Sequence, residues 1–321
     1  MEKLLSVRNL RTIFHTYRGV VKALNGVSFD VYKKDFLGVV GETGCGKSVT
    51  SLSIMRLIED PGEIVDGSVV FEGRDLLKLS EEEMQKVRAK EISMIFQEPK
   101  MALNPVLKVG YQIAEAVSTA EDLPIKSKEV QEKVYEILKA VGLPDPESMV
   151  EKYPHELSGG MAQRIMIAMG LVTKPKLLIA DEPTSALDVT IQAQILHLIK
   201  ELVSEMGTSA MIITHNLGVV AEYCERVVIM YAGNVAEIGN VKTIFKEPLH
   251  PYTKGLIKAV PVIGTKGKLQ TIRGIVPDLV NPPSGCRFHP RCDHALDICS
   301  KELPPIKEVE PGHFVACHLY D

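Results

Sequence analysis

The order of apolar runs predicts an α/β fold with a mostly parallel sheet, and three observations carry that expectation. A continuously apolar run, Phe36-Leu37-Gly38-Val39-Val40, leads into a Gly-rich loop and then a helical pattern over 48–58. A second run, Leu177-Leu178-Ile179-Ala180, lies between helical patterns at 158–173 and 188–206. A strand at 209–213 then continues the alternation. Strands and helices in this order imply parallel strands covered by helices.

The remaining elements follow in turn. Residues 4–14 and 20–31 alternate apolar and polar positions and predict paired antiparallel strands, with further strands at 63–71 and 91–96. The stretch from Glu81-Glu82-Glu83 to Lys90 reads as a solvated helix face. Residues 105–141 are mostly helical in pattern, with polar punctuation around 119–127, and two short strands are expected near 226–231 and 234–238. Proline density rises from Pro248 to Pro311 as periodicity fades, which sets a boundary near 245 and leaves 246–321 as an irregular tail.

Composition narrows the function classes. The 321 residues suffice for one large core with appended elements, and 24% charged residues is ordinary for a globular chain. A net charge of -4 argues against a whole-surface nucleic-acid binder. No apolar run approaches the roughly 18–20 residues that cross a bilayer, and the start, Met1-Glu2-Lys3-Leu4, is not a secretory signal. The expected location is the cytoplasm, with any membrane-spanning left to a partner.

Three motifs carry chemistry. Gly41-Glu42-Thr43-Gly44-Cys45-Gly46-Lys47-Ser48 fits the phosphate-binding pattern G-x-x-x-x-G-K-[ST]. Glycines let backbone N–H groups approach phosphate oxygens, and the helix that follows presents its anion-favouring N-terminus. Lys47 is placed to neutralise β- and γ-phosphate oxygens and Ser48 to ligate Mg²⁺. The strand before the loop and the helix after it separate it from an ordinary Gly-rich turn. The second motif is the apolar strand ending in Asp181-Glu182-Pro183. It sets Asp181 to hold Mg²⁺ through water and Glu182 to act as general base for an attacking water. The third, Leu157-Ser158-Gly159-Gly160-Met161-Ala162-Gln163-Arg164, is another anion-ready helix start. One chain has no obvious use for two phosphate sites unless the second serves a neighbouring copy.

With these motifs in this order, the chain resembles the ABC-type ATPases, whose core is a P-loop NTPase fold with an antiparallel β subdomain and a helical subdomain. Walker A falls at 41–48, Walker B at 177–182 and the signature at 157–161. The Q-loop falls at Gln97 in Ile95-Phe96-Gln97-Glu98-Pro99, the D-loop at Ser185-Ala186-Leu187-Asp188 and the switch histidine at His215. The match spans roughly residues 1–245, with the helical subdomain at about 98–160. The resemblance implies ATP held between Walker A of one domain and Ser158-Gly159-Gly160 of another, head to tail. It assigns catalysis to Glu182, His215, Gln97 and Lys47, and Mg²⁺ to Ser48, Gln97 and Asp181. Nucleotide contacts fall to Gly41 through Ser48, to Val49, and to Asp188. Phe14 aligns with the adenine-stacking aromatic, with Tyr17 as the alternative. The signature departs from the common pattern at Met161, where Gln is usual; that leaves one ATP-facing hydrogen bond in question and marks the peptide-importer branch.

The tail narrows the family. Glu247-Pro248-Leu249-His250-Pro251-Tyr252-Thr253, Gly285 to Cys292, Pro304-Pro305 and Ala316-Cys317-His318 resemble the tail of oligopeptide/dipeptide ABC importers. That resemblance implies a second, non-identical ATPase, two transmembrane permeases, an external solute-binding protein and a peripheral place on the cytoplasmic face of the membrane. The alternatives are a non-transport ABC ATPase and an importer of oligosaccharides or nickel. Cys286, Cys292, Cys299 and Cys317 crowd the tail, and four thiolates suit Zn²⁺ or an iron–sulfur cluster. A tight C-x₂₋₄-C knuckle is missing and the wide gaps suit a larger cubane; the resemblance also implies a [4Fe–4S] cluster. His289, His313 and His318 read as supporting or solvent residues. Cys45 fills a small-residue slot in the phosphate loop and is a target for thiol reagents; Cys224 reads as a buried small hydrophobe.

Overall fold

The computed structural model describes residues 2–185, 187–260 and 271–321. The strands are β1 Lys3–Thr16, β2 Gly19–Tyr32, β3 Phe36–Val40, β4 Gly62–Phe71, β5 Arg74–Asp75, β6 Ile92–Ile95, β7 Leu177–Asp181, β8 Ser209–Thr214, β9 Arg226–Tyr231, β10 Asn234–Asn240, β11 Lys307–Glu310 and β12 His313–Val315. The helices are α1 Lys47–Ile54, α2 Glu81–Lys90, α3 Pro99–Ala102, α4 Val109–Glu121, α5 Lys128–Ala140, α6 Pro146–Met149, α7 Gly159–Leu171, α8 Val189–Met206, α9 Leu217–Tyr223, α10 Val241–Lys246 and α11 Pro251–Lys258. They fall into two compact units, one of residues 1–78 and 213–321, the other of residues 79–212.

In the first unit β1 pairs antiparallel with β2 and β4, giving a sheet in the order β2-β1-β4-β5. Buried Leu5, Val7 and Leu10 of β1 and Val27, Phe29 and Val31 of β2 supply its core face, as the alternation predicts. A second set of strands runs β11-β12-β10-β9-β3. In this set β3 and β9 pair in parallel, while β10, β12 and β11 add antiparallel, so its strands are mixed. The cause is the tail. Phe314 and Val315 pair with Ile238 and Glu237, so residues expected to be irregular extend the sheet. Helix α1 also stops at Ile54, short of the expected 58, before Arg56 turns into the left-handed region at φ 51°.

In the second unit β6 and β7 pair in parallel, and both are largely buried, as their unbroken apolar runs predict. The helical region is built from amphipathic pieces. Helix α5 buries Val130, Val134, Ile137 and Leu138, an i, i+4, i+7, i+8 stripe, behind the N-cap Ser127. Asp122, left-handed at φ 56°, ends α4 inside the polar punctuation. Helix α2 carries a full capping box, Ser80 with Glu83, and buries only Met84 and Val87, so its charged face is solvated as expected.

Candidate nucleotide site

All five residues of β3 are buried, and the strand delivers the chain into the phosphate loop. Packing dictates the loop's glycines. A Cβ on Gly41 would lie 2.2 Å from the carbonyl oxygen of Met230, and Gly46, at φ 100°, sits against the Ala23 carbonyl. Gly46 is the N-cap of α1 and supplies no side-chain cap, so the helix opens with bare N–H groups. Lys47 is 5% exposed and its Nζ donates to the carbonyls of Gly41 (2.9 Å) and Glu42 (3.2 Å), which curls the ammonium into the loop's concavity. Thr12 and Ser53 share a buried 2.8 Å hydroxyl contact that anchors α1 to β1. Cys45 is fully buried, and burial pushes its thiol pKa up despite nearby Lys47. It fills the small-residue slot as expected, but it is a poor target for thiol reagents, because both access and thiolate are lacking.

The same unit brings His215 to this loop. Gly41, Glu42, Thr43 and His215 border one cavity of about 420 Å³, closed on its apolar side by Leu217 and Leu256. Phe14 is half-buried on β1 with its ring against Gly62, whereas Tyr17 is 98% exposed at the β1–β2 turn.

In the second unit Asp181 ends β7 buried, and Glu182 follows it in a left-handed turn at φ 44°. Gln97 Nε2 donates to Glu182 Oε2 at 3.2 Å, so two of the expected catalytic residues meet. Ser158 caps α7 by accepting the N–H of Met161. Cβ atoms added to Gly159 and Gly160 would meet nothing nearer than 3.6 Å, against Leu187 and Ile191. Among the described residues, nothing requires glycine at these two positions. Asp188 caps α8, accepting from the N–H groups of Thr190 and Ile191.

The tail reaches the phosphate loop, which the sequence reading does not anticipate. Tyr252 is fully buried, and its hydroxyl accepts the Glu42 N–H at 3.0 Å. His250, its pKa pushed down to about 3 by burial, stays neutral and accepts the Tyr252 N–H at Nδ1, which starts α11. Arg287 donates to the carbonyls of Ala232 and Lys22. Buried Glu237 on β10 accepts from the N–H groups of Leu249 and His250 and faces His313 Nε2 at 2.7 Å. Replacing Glu237 with Leu leaves three buried polar groups without this partner and is expected to cost about 3–5 kcal/mol. The shift of a urea unfolding transition measures it, and a loss below about 1 kcal/mol would mean the donors find other partners.

None of the six cysteines, all among the described residues, forms a disulfide. Burial, and then the neighbouring cysteines, push the Cys286 thiol up to about 11, and Cys292 and Cys317 are also raised. The four tail sulfurs therefore sit within electrostatic range of one another. The N–H of His294 points at Cys292 Sγ and that of Leu296 at Cys299 Sγ, each 3.4 Å away. Among the described residues, however, no group of three or more His, Cys, Asp or Glu side chains is arranged to hold a metal ion. The tail extends the sheet and carries these four thiols.

Strand, phosphate loop and helix define a P-loop nucleotide-binding protein, and comparison with known proteins narrows the class. A family model described as "ABC transporter" matches residues 24–185, and one described as "Oligopeptide/dipeptide transporter, C-terminal region" matches 236–299. The chain is 50% identical to the Bacillus subtilis dipeptide transport ATP-binding protein DppD, over all of this chain and 96% of that protein. It is 47% identical to the Escherichia coli oligopeptide transport ATP-binding protein OppD, over 98% and 93%. The dimeric structure of MJ0796, a bacterial ABC transporter cassette, superposes with a TM-score of 0.67 at 26% identity, covering 74% of this chain and 99% of that one. This chain belongs to the ATP-binding subunits of ABC transporters, an ATPase family.

Proposed function

We propose that this chain hydrolyses ATP to energise the import of di- and oligopeptides through partner permeases. The observation that carries the reading is a complete nucleotide motif set joined, over nearly full length, to a tail shared with peptide-importer ATPases. In this reading residues 1–245 are the ATP-binding domain and 246–321 the importer-type region. Phe14, with Tyr17 as the alternative, stacks on adenine. The backbone N–H groups of Gly41 to Val49 hold the phosphates, with Lys47 neutralising their charge. Ser48, Gln97 and Asp181 hold Mg²⁺, Glu182 activates water, and His215 contacts the γ-phosphate. Ser158, Gly159, Gly160 and Asp188 serve the nucleotide of a second, non-identical ATPase. The open space around Gly159 and Gly160 among the described residues supports this, since an outside ligand gives a reason for bare backbone there.

Among the described residues no helix is long and apolar enough to cross a membrane, so the proposed place is peripheral, on the cytoplasmic face. Met101 (80% exposed) and Val106 (76%) are exposed apolar side chains on the helical unit. They suit a permease contact, with the solute-binding protein acting from outside. Gentle solubilisation of native membranes with this chain tagged is the test. Two permeases and a second ATPase should copurify, and Met101→Glu with Val106→Asp should lose the permeases while MgATP binding remains. Copurification of repair, translation or cluster-assembly factors without permeases would overturn transport. An accompanying binding protein that took oligosaccharides or nickel would replace peptide as cargo.

The tail thiols suit a [4Fe–4S] cluster, with Zn²⁺ as the alternative. What supports this reading is that the four sulfurs lie within electrostatic range of one another and two of them receive backbone N–H groups. Cys286, Cys292, Cys299 and Cys317 would hold it, and its contribution is to tie the tail. Chain purified without oxygen is expected to be brown, with iron and sulfide near four each per chain. Colourless chain with about one zinc would transfer the site to Zn²⁺.

A further inference from the structure

A carboxylate is out of place in a loop that receives a triphosphate, yet Glu42 stands there and borders the same cavity as Thr43 and His215. Its repulsion of phosphate oxygens has to be cancelled. The tail supplies the counter-charge. Arg291 meets Glu42 with both fork nitrogens, Nη1 to Oε2 at 2.7 Å and Nη2 to Oε1 at 3.1 Å. The guanidinium is itself confined. Its side chain is 6% exposed, Nε donates to the Arg273 carbonyl at 2.8 Å, and the Tyr231 ring lies 5.6 Å away.

We propose that Arg291 is a positioning residue for nucleotide binding: it neutralises Glu42 and fixes that carboxylate away from the phosphates, so the tail sets the charge of the phosphate loop. The inference rests on the proposed ATPase reading. It separates charge compensation from simple bracing by sign. If Arg291 only braces the loop, removing both partners is at least as harmful as removing one. If it compensates charge, the harm of losing Arg291 lies in the bare Glu42, and removing Glu42 as well relieves it.

The experiment measures MgATP affinity of the full chain by calorimetry for the natural chain, Arg291→Gln, Glu42→Gln and the double variant, with thermal melts alongside. Arg291→Gln is expected to weaken binding about tenfold, on the order of one partly screened unit charge, and less so in high salt. The double variant is expected to lie within about threefold of the natural chain by the same arithmetic. A double variant as weak as Arg291→Gln, with the natural chain binding well, overturns the inference alone. A natural chain that does not bind MgATP overturns the ATPase reading and this inference with it. Should Arg291→Gln fail to fold, Arg291→Lys carries the comparison, since it keeps the charge and loses the fork. It is expected to hold affinity within about threefold of the natural chain, and a loss of about tenfold or more would reject the idea.

Discussion

Glu182→Gln is expected to bind MgATP as the natural chain does and to turn it over at least about a hundredfold more slowly, the scale at which a positioned general base contributes. The substitution is nearly isosteric. Its amide oxygen can still accept from Gln97 Nε2, which lies 3.2 Å from Glu182 Oε2, so the local geometry survives while proton acceptance does not. Mixed with the partner ATPase, chains that bind and do not hydrolyse should accumulate as a closed pair, seen in MgATP by size-exclusion chromatography. Single-turnover hydrolysis is the measurement. Turnover within about tenfold of the natural rate would remove Glu182 from the base role and leave Gln97 or His215 to orient the water.

Lys47→Ala is expected to abolish binding at an earlier step, raising the MgATP Kd by about a hundredfold or more. Charge-assisted hydrogen bonds to phosphate are worth about 1.5–3 kcal/mol each, and a lysine ammonium has the donors for more than one. The structure adds a second loss. The ammonium also bridges the carbonyls of Gly41 and Glu42, so its removal slackens the loop's curl. Equilibrium binding of a fluorescent ATP analogue decides it. A thermal melt close to that of the natural chain keeps a folding defect from imitating a binding defect. Affinity within about threefold of natural would mean backbone N–H groups alone carry the phosphates.

The parts that were legible in the sequence are those where the backbone needs a particular residue. Gly41 and Gly46 are forced by contacts to Met230 and Ala23, and that requirement shows as a spaced motif. The buried strands β3 and β7 are unbroken apolar runs. The tail strands were not legible for the opposite reason. β12 is three residues long and β11 is exposed throughout, so neither is long enough or apolar enough to display an alternation. Nor does any local pattern join Arg291 to Glu42 across 249 residues. The only available hint was an acidic residue inside a phosphate loop and an arginine between two cysteines.

The pairing of β12 with β10 bears on how this chain can be shortened. β10 is flanked by β9 on one side and by β12 on the other. A truncation at the domain boundary near residue 245 would strip that second neighbour and bare a row of unpaired N–H and C=O groups along Val235 to Ile238, a template for stacking one molecule on the next. It would also leave Glu237 buried without His313. A minimal catalytic fragment ending there should precipitate rather than behave as an isolated engine. The tail guards a raw edge of the sheet.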